Sequence, residues 1–193
     1  LKKLNLLLVF QVNCPGCFSY AIPLFNQLFQ EFNGKGVSLT GMSTAFEDFD
    51  RNTLQNTVEL ISDGTMVGET KKFMKQYDYD TLPYNLECPI VMDKISYGES
   101  LDMDEITNTV LNNYQYNSES QKSILKTNIS NYLNSLDRIA LTFTLNQLKG
   151  TPSFVLLNNT NEIINEWFGH IPYEEIQKAL DAVLKSEITD IKK

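Results

Sequence analysis

Arginine is nearly missing from this chain. Of 16 basic residues among 193, only Arg51 and Arg138 carry a guanidinium, and 24 acidic residues leave a net charge of −8. A binder of phosphate backbones needs a basic face, so the composition argues against nucleic acid as a partner. Long apolar runs are missing too. The longest, Leu6–Phe10, is strand-sized, far short of the ~18 residues of a membrane span, so no membrane partner is expected. Lys2 and Lys3 precede an apolar stretch, but it runs into Gln11-Val-Asn-Cys14 with no small-x-small cleavage site. The expected compartment is therefore the cytoplasm, or the periplasm if a signal peptide has been removed. Three cysteines, Cys14, Cys17 and Cys88, are too few for a disulfide scaffold.

What is present is ordinary globular material, 42% hydrophobic and 21% charged, enough for one domain over 1–193 with a sizeable insertion. Residues 4–12 are apolar on both faces, as strands of parallel sheets are. Phe18, Ile22, Phe25, Leu28, Phe29 and Phe32 repeat at helical spacing up to Asn33-Gly34. Pro23 lies within that helix and is expected to kink it, because it has no N–H to bond back to Ser19. Residues 37–46 read as a second strand, completing a βαβ unit.

The middle reads as mostly helical. Leu54, Val58 and Ile61 form one stripe, and Val67, Phe73, Met74 and Tyr77 another. Residues 104–116 carry Ile106, Val110, Leu111 and Tyr114. Residues 119–148 carry a longer run from Ile124 to Leu148. All these stripes are expected to pack in a core. Cys88–Asp93 suggests a short strand. Residues 153–157 and 163–168 flank Asn158-Asn-Thr-Asn161 as a hairpin, and 173–186 form a closing amphipathic helix with acids in its first turn.

Cys14-Pro-Gly-Cys17 falls where a strand hands over to a helix. A cysteine at a helix N-cap meets unpaired N–H groups and the positive end of the dipole, and both favour a thiolate. Pro15 suits the first helical position. Cys17, one turn on, is within reach of Cys14 for an internal disulfide. A Cys14 thiolate would attack a substrate disulfide, and Cys17 would resolve the mixed disulfide. Chance spacing and half a zinc site are the alternatives, although Cys88 and His170 are the only Cys or His ligands beyond the pair.

Four stretches together resemble the thioredoxin superfamily, and within it the redoxin branch that includes TlpA-type thiol–disulfide oxidoreductases. They are Phe10–Cys17 with Pro23, Thr44–Asp50, Cys88–Asp93, and Gly150-Thr-Pro-Ser153 running on to Phe168-Gly169. The resemblance implies an α/β, thioredoxin-like three-layer sandwich with a helical insertion at 97–149, before the cis-proline strand. It implies that Cys14 is the nucleophile and Cys17 the resolving thiol, and that Thr151-Pro152 is a cis-proline element facing them. Pro15, Gly16 and Thr151 would contact substrate. Glu47 sits where related proteins often keep an acid behind the cysteines, and would take a proton from Cys17; an ordinary exposed acid is the alternative.

The chain also departs from the family pattern. Asn13 replaces the Trp that many relatives place before the first Cys, and the Pro-Gly insert lacks the His of strong oxidants, so reduction or neutral exchange is expected. Gln11 stands where a peroxidase would need a hydroxyl, which makes a thiol peroxidase the weaker enzyme reading. A binding module with a merely structural disulfide is the rival of another class. No cofactor is expected, because the cysteine pair carries the electrons. The expected partners are a disulfide-containing protein or small-thiol substrate and a reducing partner. His170 reads as a surface or packing residue, Trp167 as core, and Cys88 as a buried thiol, with a regulatory thiol as the other reading.

Overall fold

Leu4–Phe10 is the middle strand, β1, of a five-stranded sheet. In the computed structural model, which describes residues 4–97, 102–112, 115 and 118–190, the chain divides into two compact units. The first comprises 1–43, 50–92 and 149–193; the second comprises 44–49 and 93–148.

The first unit holds the sheet, in the order β3-β2-β1-β6-β7. β2 (Val37–Ser43) runs parallel to β1, with Leu6 beside Leu39, and β3 (Ile90–Met92) continues the parallel set beside Gly41–Ser43. β6 (Ser153–Asn158) returns antiparallel to β1, with Leu6 beside Leu156, and β7 (Ile163–Phe168) is its antiparallel hairpin partner. These registers put Leu4, Leu6, Leu8 and Phe10 on one face with Leu39, Phe154 and Leu156. Successive side chains alternate across a strand, so Val9, Met42 and Val155 take the other face, and all three are buried too.

The first of these faces packs on helix α1 (Ile22–Phe32) and the closing helix α7 (Tyr173–Asp190). Phe18, Ile22, Phe25, Leu28 and Phe32 share one core with the strand leucines and with Ile176 and Leu180 of α7. The aromatic stripe read from the sequence is therefore core. Hydrogen bonds fasten the layer. Tyr173 of α7 donates its hydroxyl to Glu31, and Gln177 Nε2 donates to Glu31 Oε1 at 3.0 Å. Asn26 Nδ2 donates to the Asn85 carbonyl at 2.7 Å, while its Oδ1 accepts from the Glu87 N–H at 3.1 Å. Trp167 is buried, and its indole N–H reaches Glu175 at 2.9 Å.

Helices α2 (Leu54–Asp63) and α3 (Gly68–Lys75) lie between β2 and β3. The core expectation for the α2 stripe is overturned. Leu54, Val58 and Ile61 are 61%, 50% and 42% exposed, and Thr57 and Leu60 face inward instead. Thr57 turns in because its hydroxyl is bonded to Ser43 Oγ at 2.9 Å and to the Thr53 carbonyl at 2.9 Å. Pro23 does not kink a regular helix either. A π-helical turn, Cys17–Ala21, runs directly into α1, and Pro23 sits at this change of helical register, where its missing N–H leaves the turn before it one donor short.

The second unit is not purely helical as expected. Strands β4 (Ile95–Tyr97) and β5 (Arg138–Ala140) pair antiparallel. Helices α4 (Met103–Leu111) and α5 (Glu119–Asn134) pack through Ile106, Val110, Leu111, Ile129 and Leu133, with Ile139 of β5. The expected run over 119–148 is thus broken after Asn134, where β5 and the short α6 (Leu141–Leu145) follow. The expected helix over 104–116 ends at Leu111, and Tyr114 falls outside the described residues. Buried Asp93 organises this unit by accepting from the Thr44 hydroxyl at 2.9 Å and from the N–H groups of Thr142 and Phe143 at 2.9 and 3.0 Å. The second expected strand stops at Ser43 because Thr44 already belongs to this network.

Candidate active site

β1 delivers its C-terminal end to a short loop, and the helical turn after it begins at Pro15. Cys14 and Cys17 form a disulfide with a Cα–Cα separation of 5.3 Å, within the ordinary range of about 4.4–6.8 Å. Cys17 is fully buried in the α1 core, whereas Cys14 is half-buried. Of the pair, Cys17 is thus sealed from solvent while Cys14 is partly exposed. The Cys17 N–H points at Cys14 Sγ, 3.2 Å away, and also at the Cys14 carbonyl at 3.0 Å. In the dithiol form the same N–H would favour a thiolate at Cys14, because a hydrogen bond to the charged form lowers its energy.

The Thr151–Pro152 peptide bond is cis, and the Thr151 carbonyl lies 3.7 Å from Cys14 Sγ. This loop is fastened on three sides. The Thr151 hydroxyl donates to Gln11 Oε1 at 3.0 Å, the Ser153 hydroxyl to the Gly150 carbonyl at 2.7 Å, and the Gly169 N–H to the Pro152 carbonyl at 2.9 Å. Gly150 lets the Phe168 ring close over its backbone, since a Cβ there would sit 2.8 Å from Phe168 Cε2. Between the cysteines, Pro15 is half-buried and Gly16 exposed.

The loop before Cys14 is tied to the α2–α3 region. The Asn13 N–H donates to Asn52 Oδ1 at 2.9 Å, and Asn13 Oδ1 accepts from the Glu69 N–H at 2.6 Å. The Thr70 hydroxyl donates to the Val12 carbonyl at 2.7 Å. Asn13, read from sequence as a departure, is thus a structural clasp. Gln11, Asn52 and Thr70 are all buried, and the sequence reading gave none of them a role in the site. Gln11 left one signal, an amide at the end of an otherwise apolar strand.

Cys14, Cys17, Thr151 and Pro152 come together. Glu47 is exposed and lies in the second unit, on segment 44–49. His170 is exposed and stacks on Tyr20 with ring centroids 3.4 Å apart, while the Tyr20 hydroxyl donates to the Ile171 carbonyl. Cys88 is buried and unpaired by any disulfide, and burial pushes its thiol up to about 11. Among the described residues, no cluster of three or more His, Cys, Asp or Glu side chains is placed to hold a metal ion, and no helix is long and apolar enough to cross a membrane.

No protein-family model and no curated protein matches the chain. Solved structures do. A thioredoxin-like superfamily protein aligns over 95% of this chain and 80% of its own, at 18% identity and a TM-score of 0.56. A thiol-disulfide isomerase from Corynebacterium glutamicum aligns over 96% of this chain and 80% of its own, at 19% identity and a TM-score of 0.51. The fold is thioredoxin-like: a central mixed sheet with helices packed on it, as the sequence resemblance implied.

Proposed function

Starting from a thioredoxin-like fold with a cysteine pair at the head of α1, we propose that this chain is a thiol–disulfide oxidoreductase. The observation that carries the reading is the asymmetry of the pair. Cys14 is only half-buried, and its Sγ receives the Cys17 N–H and lies 3.7 Å from the Thr151 carbonyl, while Cys17 is shut inside the core. A structural disulfide has no need of one partly exposed cysteine beside the Thr151 loop. The isomerase from Corynebacterium glutamicum, similar in fold, lends the reading further support.

In the reducing direction the Cys14 thiolate attacks one sulfur of a substrate disulfide. A Cys14–substrate S–S bond forms, the substrate S–S bond breaks, and the departing thiolate takes a proton. Cys17 then loses its proton and attacks Cys14 Sγ, releasing the second substrate thiol. The substrate gains two electrons and two protons, and the pair ends as the disulfide. Pro15, Gly16 and Thr151 form the rim on which an extended disulfide segment is proposed to lie, with Pro152 holding the Thr151 carbonyl toward Cys14. The proton that Cys17 releases ends on the second substrate thiolate. The substrates proposed are protein or small-thiol disulfides, and a dithiol-bearing reductant regenerates the pair.

Insulin reduction in the presence of dithiothreitol tests the reading. Wild-type protein should accelerate precipitation of the insulin B chain, and Cys14→Ser should abolish the acceleration. Full activity in Cys14→Ser, or peroxide consumption with no disulfide reduction, would overturn it.

A further inference from the structure

The turn that carries Cys17 is one residue wider than an α-helical turn. The Ile22 N–H donates to the Cys17 carbonyl, five residues back rather than four. That choice strands the next carbonyl. In an α-helix Phe18 would accept from Ile22, which is already engaged. In a continued π-helix Phe18 would accept from residue 23, which is Pro23 and has no N–H. A carbonyl on a buried residue left without a donor costs the full desolvation of that group. Here the donor comes from far along the chain: the Tyr84 hydroxyl bonds to the Phe18 carbonyl.

Tyr84 is held for this contact on both sides. The Leu82 N–H donates to the Gly64 carbonyl at 2.9 Å, and Asn26 of α1 grips Asn85 and Glu87. The Tyr84 ring packs against the core that contains Cys17 and Phe18, and burial raises its hydroxyl well above the ordinary phenol range, which keeps the donor proton in place.

We infer that Tyr84 is a positioning residue for the redox pair: its hydroxyl takes the acceptor that the wide turn leaves open, and so holds that turn, and with it the Cys17 N–H, in register with Cys14 Sγ. Without the hydroxyl, the Phe18 carbonyl recovers a donor most directly by recapturing the Ile22 N–H. The turn then tightens to α-helical register, the Cys17 carbonyl is released, and the peptide bearing the Cys17 N–H rotates away from Cys14. Losing that N–H disfavours the thiolate, and with it the dithiol state relative to the disulfide. The inference rests on the exchange reading above, because it is the poise of that exchange that Tyr84 would set.

Tyr84→Phe keeps the ring and removes the donor. Wild-type and variant proteins would be equilibrated with graded ratios of reduced and oxidised dithiothreitol, and the pH profile of Cys14 alkylation by iodoacetamide would be recorded on the reduced forms. The variant should need at least threefold more reduced dithiothreitol to hold the same dithiol fraction, and its alkylation midpoint should move to higher pH. Pro23→Ala supplies the rescue, since it returns an N–H at the position five residues beyond Phe18. The double variant should regain the wild-type ratio, and should do so even if Tyr84→Phe alone does not fold. A Tyr84→Phe protein that loses thermal stability but keeps the wild-type ratio and alkylation profile overturns the inference, as does a double variant with no rescue. A wild-type pair that never equilibrates with dithiothreitol overturns the exchange reading and this inference together; one that does equilibrate, with the variant unchanged, overturns this inference alone.

Discussion

Cys88 sits in the same core as Cys17 but has a different chemistry, set mainly by burial. Its thiol is raised to about 11, chiefly because the thiolate would have to be desolvated, whereas an unfolded thiol titrates near 8.5–9. Below that range both states hold the proton and stability is indifferent to it. Between about pH 9 and 11 the unfolded chain has released the proton and the folded chain still binds it, so stability falls as pH rises, by on the order of 1–3 kcal/mol in all. Urea unfolding at about pH 8 and pH 10.5 should show a larger loss for wild type than for Cys88→Ala; equal losses would mean that the thiol is not shielded. Gly68 makes a second point at this scale. Its φ is +51°, and a Cβ there would collide with the Asn13 side-chain carbonyl, the group that accepts the Glu69 N–H next to Cys14. Gly68→Ala should therefore cost about 1–3 kcal/mol, read from the urea midpoint, and a loss under about 0.5 kcal/mol would show that the clasp gives way freely.

At the scale of elements, helical periodicity reports that a helix has two faces but not which face the fold buries. Leu54, Val58 and Ile61 are spaced as a core stripe, yet the Ser43–Thr57 hydrogen bond turns α2 the other way. Changing all three to Gln should cost within about 0.5 kcal/mol apiece, as exposed positions do, against the 2–5 kcal/mol that truncating a buried Leu costs; chemical denaturation decides between them. Thr53→Ala should cost more than any of the three, about 0.5–2 kcal/mol, because Thr53 Oγ1 caps α2 by accepting the Asn56 N–H at 3.1 Å. β1 and α7 were legible because each writes its burial directly into the residue pattern, whereas the β6–β7 hairpin was legible from its Asn158-Asn-Thr-Asn161 turn, since β7 is exposed at all but Trp167. β5 was not, because its three residues continue the apolar spacing of α5 without a break. The π turn was not legible either, since it differs from an α turn only in which carbonyl Ile22 chooses. The contact that completes it, Tyr84 on Phe18, spans 66 positions that no local pattern connects.

For the molecule as a whole, the Cys14–Cys17 disulfide was legible because two cysteines one helical turn apart at a strand–helix junction come within reach of each other, while the clasps around it, Gln11, Asn52 and Thr70, depend on tertiary proximity. Charge is the property that composition does fix at this scale. Sixteen basic residues against 24 acidic ones leave −8 on a small protein. Such a field repels anionic reactants and slows their approach, and salt screens it with a Debye length of about 10 Å at 0.1 M. Under the proposed exchange, reduction of glutathione disulfide, which carries negative charge at neutral pH, should speed up with ionic strength. Its kcat/KM should rise roughly 3–10-fold between about 20 and 300 mM NaCl. Hydroxyethyl disulfide is uncharged and should show no such rise, which separates screening from any effect of salt on the pair itself. A flat response with both substrates would mean that the acidic groups lie too far from Cys14 for their field to reach it. A parallel rise with both would move the salt effect from substrate approach to the poise of the Cys14–Cys17 pair.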